Sequence, residues 1–180
     1  MDNQTKRKTA MSLYRADMKR YGGKARFWNK RFHFYLRLSQ CTKNRFLKLF
    51  FKYRTIRIGE KHGVELRPDT QIGKGLYLGH PYGITVNLGA KIGENCNLHK
   101  GVTIGQENRG PRKGSPVIGD RVWIGINATV VGNITVGDDV LIAPNSYVNC
   151  DVPAHSVVFG NPCTIKHREN ATENYINKMA

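Results

Sequence analysis

Aliphatic residues recur at every sixth position through the second half of the chain. One unbroken register comprises Ile118, Ile124, Val130, Val136, Ile142 and Val148. A period of six matches neither the α-helix nor a simple alternating strand. It is typical of a chain that runs one short strand, turns a corner and repeats, so that three sides form a coil of about 18 residues. The aliphatic side chains of successive coils then stack inside a prism.

Two earlier registers extend the same pattern. The first comprises Ile72, Leu78 and Ile84, and the second, displaced by two residues, comprises Val86, Ile92, Leu98 and Ile104. Small residues often follow the aliphatic, which suits corners where bulk or a forbidden φ would block the turn. The 19 glycines among 180 residues agree with this use. A β-sandwich with chance glycine turns is the alternative, and six consecutive matches disfavour it.

The polar segment 106–116 interrupts the repeat and contains no aliphatic side chain. The gap from Ile104 to Ile118 is 14 residues, which is not a multiple of six. We therefore expect a loop that leaves the prism at a corner, and such loops often carry binding residues. The alternative is a passive surface excursion.

Positive charge is concentrated at the start of the chain. The formal net charge is +16, and residues 1–61 hold 18 Lys or Arg against 3 Asp or Glu. Apolar residues at helical spacing predict two helices over about 27–38 and 43–57, while residues 1–20 form a helix or are loose. We divide the chain into a basic, mainly helical segment 1–62, a β-helix domain 63–163 and a tail 164–180.

Composition also indicates the cellular compartment in which the chain works. The cysteines stand at 41, 96, 150 and 163, and no two form a C-x-x-C pair, which favours reduced thiols. No His, Cys or Asp set has ligand spacing, so we expect no metal. No apolar run reaches the roughly 18 residues that span a bilayer, and the first residues do not resemble a signal peptide. We expect a soluble, cytoplasmic protein, or one held at the inner face of a membrane.

Four motifs carry a family resemblance. They are Val64–Pro68, Gly79–Gly83, Leu98–Gly105 and Gly160–Pro162. Through them, residues 64–163 resemble the hexapeptide-repeat acyltransferases, in particular serine acetyltransferases and bacterial surface-polysaccharide O-acetyltransferases. The resemblance implies an all-β, left-handed parallel β-helix, which is an exception to the right-handed crossover rule. It also implies a homotrimer that transfers acetyl from acetyl-CoA to a hydroxyl.

The chemistry singles out His80. A hydroxyl is a poor nucleophile near neutral pH and needs a base, and imidazole titrates in the useful range. His80 lies in a glycine-flanked turn, so we expect it to be exposed at a corner. In the resembling enzymes the His of this turn is the base, oriented by an acid fifteen residues earlier, where this chain has Glu65, with Asp69 as the fallback. His99, one coil further along the same side, is the second candidate base.

The resemblance also implies a donor site and reveals departures from the serine enzymes. Acetyl-CoA would lie along a coil edge between two subunits, lined by Gly105, Ile126 and Pro144, with Lys166 or Arg168 meeting its phosphates. The residues that hold serine in the resembling enzymes are absent here, because Gly79, Gly114 and Ser115 stand at those positions. Recognition of a zwitterion needs paired charges. We therefore expect a sugar acceptor in a surface polysaccharide or its precursor, with serine O-acetylation as the alternative.

The basic segment allows several partners. Its aromatic residues between cations predict that residues 1–58 bind an anionic membrane surface. The alternative is that these aromatics pack against the prism or a neighbouring subunit. Nucleic-acid binding is disfavoured because no recognised motif is present, and a non-catalytic scaffold is disfavoured by the Glu65 and His80 pair.

Overall fold

The chain folds as a helical segment followed by a parallel β-solenoid. The computed structural model describes residues 3–180, with side chains from residue 9 onwards. The three helices of the described residues are α1 (Asn3–Arg20), α2 (Phe27–Cys41) and α3 (Arg45–Lys61). The helices predicted over 27–38 and 43–57 are confirmed as α2 and α3. Residues 3–20, for which the sequence left two alternatives open, form α1.

Fifteen short strands follow within the described chain. They are β1 (Val64–Leu66), β2 (Gln71–Ile72), β3 (Tyr77–Gly79), β4 (Ile84–Val86), β5 (Lys91–Ile92), β6 (Asn97–His99), β7 (Thr103–Gly105), β8 (Val117–Ile118), β9 (Trp123–Ile124), β10 (Thr129–Val131), β11 (Thr135–Val136), β12 (Val140–Ile142), β13 (Tyr147–Val148), β14 (Ser156–Phe159) and β15 (Thr164–His167). From β1 to β13 every third strand belongs to the same sheet, so the chain winds round three faces.

The three faces are a five-stranded sheet (β1-β4-β7-β10-β13), a four-stranded sheet (β2-β5-β8-β11) and a six-stranded sheet (β3-β6-β9-β12-β14-β15). Neighbouring strands from β1 to β14 pair in parallel, and the aliphatic repeat falls in register, as in Leu98 opposite Ile124. These side chains are buried and form one core. The predicted left-handed parallel β-helix fold is therefore confirmed.

Corners repeat as regularly as strands. Where the six-stranded sheet turns into the five-stranded sheet, successive coils carry Gly83, Gly101, Asn127 and Asn145, each with φ between 57° and 72°. Glycine and asparagine are the residues that tolerate this left-handed conformation best. The coil length is 18 residues between Val130 and Val148 but 20 between Leu78 and Leu98. The coil from Leu78 to Leu98 therefore contains an insertion of two residues.

A buried polar cluster joins the helices to the prism. The Arg37 guanidinium donates to the Asp17 carboxylate at 2.8 Å and to the backbone carbonyls of Ile72 and Gly73 at 2.9 and 2.6 Å. The backbone N–H of Leu76 donates to Asp17 Oδ1 at 3.0 Å. Because Arg37 and Asp17 are both fully buried, this cluster fixes where the helices sit on the first coils.

The two helices α2 and α3 bury different amounts of apolar surface. Phe32 and Leu36 of α2 have no exposed surface and belong to the prism core. The outward stripe of α3 comprises Phe46, Leu49, Phe50 and Tyr53, which are 80%, 55%, 51% and 60% exposed. These four lie at i, i+3, i+4 and i+7, so they share one helix face.

Both ends of the prism are covered. Gly59 of α3 lies so close to the carbonyl of Val64 that a Cβ at this position would collide with it. At the other end β15 turns back and pairs antiparallel with β14, so the six-stranded sheet extends into the segment predicted to be a tail. The Asp139 carboxylate then accepts from the backbone N–H groups of Ala171 and Thr172, both at 3.0 Å, which anchors the final residues.

Candidate functional site

His80 stands on the two-residue insertion. Gly79 is in register with His99, yet the next corner contact joins the Gly101 N–H to the Tyr82 carbonyl at 2.9 Å. His80 and Pro81 are therefore extra residues in this turn. His80 has a φ of 48° and is exposed, as expected for a corner position. Within residues 9–180 its imidazole makes no hydrogen bond or ion pair, so neither ring nitrogen is engaged by the described part of the chain.

Glu65 lies on the outer face of β1, opposite Thr85 of β4, and is exposed. It lines a groove of about 410 Å³ between α3 and the five-stranded sheet. No hydrogen bond or ion pair connects Glu65 with His80 in the described part of one chain. The fallback acid Asp69 accepts a hydrogen bond from Lys52 Nζ at 2.6 Å and is therefore already paired with a residue of α3.

His99 lies on β6, directly beside the His80 turn. A Cβ on Gly79 would collide with the His99 ring, so this glycine is what allows the imidazole to lie against the backbone next to His80. Burial, with a smaller contribution from the charge of His80, lowers the pKa of His99 to about 4. His99 is therefore neutral near pH 7 and a weak base. Its Nε2 is buried and has no partner among the described residues.

The predicted donor-site residues fall into two groups. Ile126 and Pro144 are stacked at the corner where the six-stranded sheet meets the five-stranded sheet, because the Asn145 N–H donates to the Ile126 carbonyl at 2.9 Å. This is the corner on which His80 lies, two coils earlier. Lys166 lies on β15 with its Nζ 5.6 Å from the centre of the Phe159 ring. Gly105 is apart from these, at the far end of β7.

The segment 106–116 leaves the prism after β7, at the corner between the five-stranded and four-stranded sheets. It folds back on itself through the Glu107 and Gly114 backbones, which exchange two hydrogen bonds of 2.9 Å. Ser115 Oγ donates to Asn87 Oδ1 at 2.9 Å. His80 therefore lies where strands of the five-stranded sheet begin, and the segment lies where they end. A single chain does not bring the two together.

Sequence reasoning missed the surroundings of His99. The Trp123 and Tyr77 rings lie 4.7 and 6.2 Å from the His99 ring, and the Tyr175 ring lies 5.1 Å from that of Trp123. The end of α1 contributes Arg20. Tyr77 and Trp123 each precede an inward aliphatic residue, which was the available signal that they share an outer face. Nothing local in the sequence connects them with residues 20 and 175.

Among residues 3–180, no group of three or more His, Cys, Asp or Glu side chains has the geometry to hold a metal ion. Within the same range, no helix has the length and hydropathy needed to cross a bilayer.

Comparison with known proteins identifies relatives. Residues 115–150 match the family model described as bacterial transferase hexapeptide (six repeats). The chain is 40% identical over 100 residues to a serine acetyltransferase of Staphylococcus xylosus, which covers 56% of this chain and 46% of the relative. It is 37% identical over 99 residues to that of Helicobacter pylori, covering 55% and 58%. The chain thus spans about half the length of these curated relatives.

Solved structures agree in fold. The soybean serine acetyltransferase apoenzyme superposes with a TM-score of 0.75 at 26% identity, covering 87% of this chain and 69% of that one. The Brucella abortus enzyme gives 0.75 at 27%, covering 90% and 70%. A serine acetyltransferase in complex with CoA shares the fold, with a TM-score of 0.74 at 24% identity over 88% and 70% of the two chains. The predicted resemblance is confirmed.

Proposed function

Because the chain is a hexapeptide-repeat protein of the left-handed β-helix class and resembles serine acetyltransferases, we propose that it transfers acetyl from acetyl-CoA to an acceptor hydroxyl. The observation that carries this proposal is His80, an exposed imidazole on a two-residue insertion at a left-handed corner. An exposed histidine whose side chain makes no hydrogen bond or ion pair in the described part of the chain is available to a substrate. The relatives named serine acetyltransferase support the reaction class.

In the proposed mechanism, His80 acts as the general base. It takes the hydroxyl proton while the acceptor oxygen attacks the thioester carbonyl carbon. The carbon–sulfur bond breaks as the carbonyl re-forms, and the imidazolium of His80 returns the proton to the departing CoA sulfur. The low pKa of His99 supports this assignment, because a base with a pKa of about 4 accepts a proton poorly near pH 7.

The acceptor has two candidates. The serine acetyltransferases among the relatives favour L-serine, which was the alternative at the sequence level. A sugar hydroxyl of a polysaccharide precursor is the second candidate. Gly79, Gly114 and Ser115 favour it, because the paired charges that would recognise a zwitterion are missing at these positions.

The active site is proposed to lie between subunits of a homotrimer. Segment 106–116 and His80 are at opposite edges of the five-stranded sheet, so only a second copy would bring such a segment to His80. Acetyl-CoA would then follow the corner stack of Ile126 and Pro144, with Gly105 of the second copy near one end and the Lys166 cation near its phosphates. Glu65 would orient His80 in the assembled site. A chain that light scattering shows to be monomeric at micromolar concentration, and that is fully active at that concentration, contradicts this arrangement.

The decisive test of the base is the His80→Ala variant. We expect kcat to fall by about 10²- to 10⁴-fold, the usual loss for a general base, with CoA affinity nearly unchanged. Glu65→Ala should lose less. His167→Ala, which removes an exposed histidine of β15, is the matched control and should retain activity. Full activity of His80→Ala together with loss of activity in His99→Ala would exchange the two roles. A comparison of acetylation rates with L-serine and with sugar acceptors decides the substrate.

We also propose that the chain works in the cytoplasm, with α3 in contact with the anionic inner face of a membrane. The exposed stripe of α3 is flanked by the exposed cations Arg45 and Lys61, while Lys52 pairs with Asp69 and Arg54 lies over the Tyr35 ring. Aromatic residues enter the headgroup region of a bilayer while flanking cations contact anionic lipids, each contributing about 1 kcal/mol. The proposal narrows the predicted membrane segment from residues 1–58 to α3, because Phe32 and Leu36 of α2 are buried in the prism core and Phe27 is its one large apolar side chain that is mostly exposed.

A further inference from the structure

A second cleft lies on the outer face of the six-stranded sheet, between the end of α1 and the last residues of the chain. We call it the aromatic cleft. Its walls are the rings of Tyr77, His99, Trp123 and Tyr175, and its volume is about 340 Å³. That size is within the range of small-molecule sites. The cleft lies beside the proposed active site, because the His99 ring rests against Gly79, the residue before His80.

The rings leave aromatic faces open to a ligand. The Trp123 ring is inclined at 47° to His99 and at 67° to Tyr175, so neither neighbour covers it by parallel stacking. Tyr175 is 52% exposed. Aromatic faces of this kind bind flat or ring-shaped groups with little loss of side-chain entropy. A ring-bearing ligand is therefore suited to the walls of this cleft.

The charge of the cleft selects an anion. Three cations line it, Arg20, Lys24 and Lys178, while the described lining includes no Asp or Glu. Arg20 donates to the Asn177 carbonyl at 2.8 Å and to the Asn97 side chain, and no carboxylate in the described chain pairs with it. A largely buried cation without a counter-ion is costly unless another anion neutralises it.

Two buried polar atoms in the cleft lack a partner in the described chain. They are Nε of Arg20 and Nε2 of His99. Buried polar atoms are satisfied in most native structures, so two unsatisfied atoms on one cleft indicate a missing hydrogen-bonding partner. One atom belongs to a cation and the other to a neutral imidazole. A ligand with an anionic group and a neutral polar edge matches both.

We propose that the aromatic cleft binds a phosphorylated sugar, with the sugar ring on Trp123 and Tyr175 and the phosphate on Arg20, Lys24 and Lys178. The sugar would be held next to His80. Its service as the acetyl acceptor rests on the proposed acetyl transfer, whereas its binding does not. A free sugar phosphate and a nucleotide-linked sugar share this chemistry, and the experiment distinguishes them.

Calorimetry on the full-length chain tests the binding. The probes are N-acetylglucosamine 1-phosphate, UDP-N-acetylglucosamine, neutral N-acetylglucosamine and inorganic phosphate. We expect the first to bind more tightly than the neutral sugar or phosphate alone, and the second to bind comparably only if the cleft accepts the nucleotide. Lys24→Ala and Lys178→Ala should each weaken binding about tenfold, or about 1.4 kcal/mol. Lys91→Ala, an exposed lysine on the four-stranded sheet, is the control.

A fluorescence arm locates the ligand. The chain has two tryptophans, so Trp28→Phe leaves Trp123 as the reporter. Quenching of Trp123 fluorescence on addition of the sugar phosphate supports binding in the aromatic cleft. Failure of both sugar phosphates to bind, or equal binding by the lysine variants and the control, overturns the proposal. Binding without acetylation removes only the acceptor role, while acetylation of L-serine in a protein that binds no sugar phosphate leaves the proposed reaction intact and rejects the cleft.

Discussion

Helices α2 and α3 are built from the same kinds of residue and occupy opposite environments. Both alternate aromatic and basic side chains, yet Phe32 of α2 is fully buried while Phe46 of α3 is 80% exposed. The difference arises from polar partners. Arg37 of α2 meets the Asp17 carboxylate and two backbone carbonyls of the prism, whereas the outward cations of α3 have mainly surface partners. An aromatic and basic composition therefore does not decide burial by itself, and only α2 has a buried acid, Asp17, as the partner of its arginine.

The largest expected effect is the loss of that acid. Asp17→Asn leaves Arg37 buried without a counter-charge, which should lower the free energy of unfolding by about 3–5 kcal/mol. Asp69→Asn is the matched control, because Asp69 pairs with Lys52 of α3 in a surface ion pair worth about 1 kcal/mol or less. Urea unfolding followed by circular dichroism measures both. Equal destabilisation by the two variants would show that the buried cluster does not anchor α2.

Truncation of one aromatic residue in each helix should distinguish α2 from α3 almost as clearly, by its effect on stability. Phe32→Ala creates a cavity in the prism core and should cost about 3–5 kcal/mol. Phe46→Ala removes an exposed ring and should change stability by less than about 0.5 kcal/mol. Thermal unfolding of the two variants side by side checks this. A large loss in Phe46→Ala would mean that α3 is covered in solution by another copy of the chain.

The pH dependence of stability should come from the buried cluster. Burial raises the pKa of Asp17, but hydrogen bonds from His33 and Arg37 outweigh it, so the net pKa lies below the ordinary value. A carboxyl with a depressed folded-state pKa stabilises the fold above its ordinary pKa of about 4, and this contribution disappears as the pH falls through the folded-state pKa. Urea midpoints between pH 7 and pH 3 should therefore decline less in Asp17→Asn than in the natural chain.

The smallest stability effect goes with the sharpest change in binding. Phe46→Ser with Phe50→Ser should fold normally but lose co-sedimentation with anionic liposomes, since the apolar stripe of α3 is removed. Leu88→Ser, an exposed apolar residue on the prism, is the control. Binding by the natural chain should weaken with salt, because screening reduces contacts between lysine or arginine and lipid. Absence of liposome binding by the natural chain, with the double variant falling from a trimer to monomers, assigns α3 to a subunit interface instead.

The repeat could be predicted from the sequence because each inward aliphatic residue marks one side of a coil. Ile118 through Val148 need only their spacing to be assigned to the core, and the two-residue shift before Val86 corresponds to the insertion that exposes His80. The buried cluster and the aromatic cleft left no such trace. Asp17 meets Arg37 and Leu76 across long separations, and Tyr175 meets Trp123 through a terminal segment without periodicity. Contacts of this kind depend on how elements dock, which no local pattern encodes.

The covered ends of the prism determine how copies of the chain can grow into an assembly. A parallel coil with open ends offers unpaired backbone groups to the next copy, as fibre-forming edges do. Here α3 stands over β1, with Gly59 against Val64, and β15 crosses the last coil in the opposite chain direction. The six-stranded sheet therefore does not end in a parallel edge that another prism could continue. Head-to-tail continuation of that sheet is thereby opposed, which favours lateral contact between prisms over growth along the prism axis.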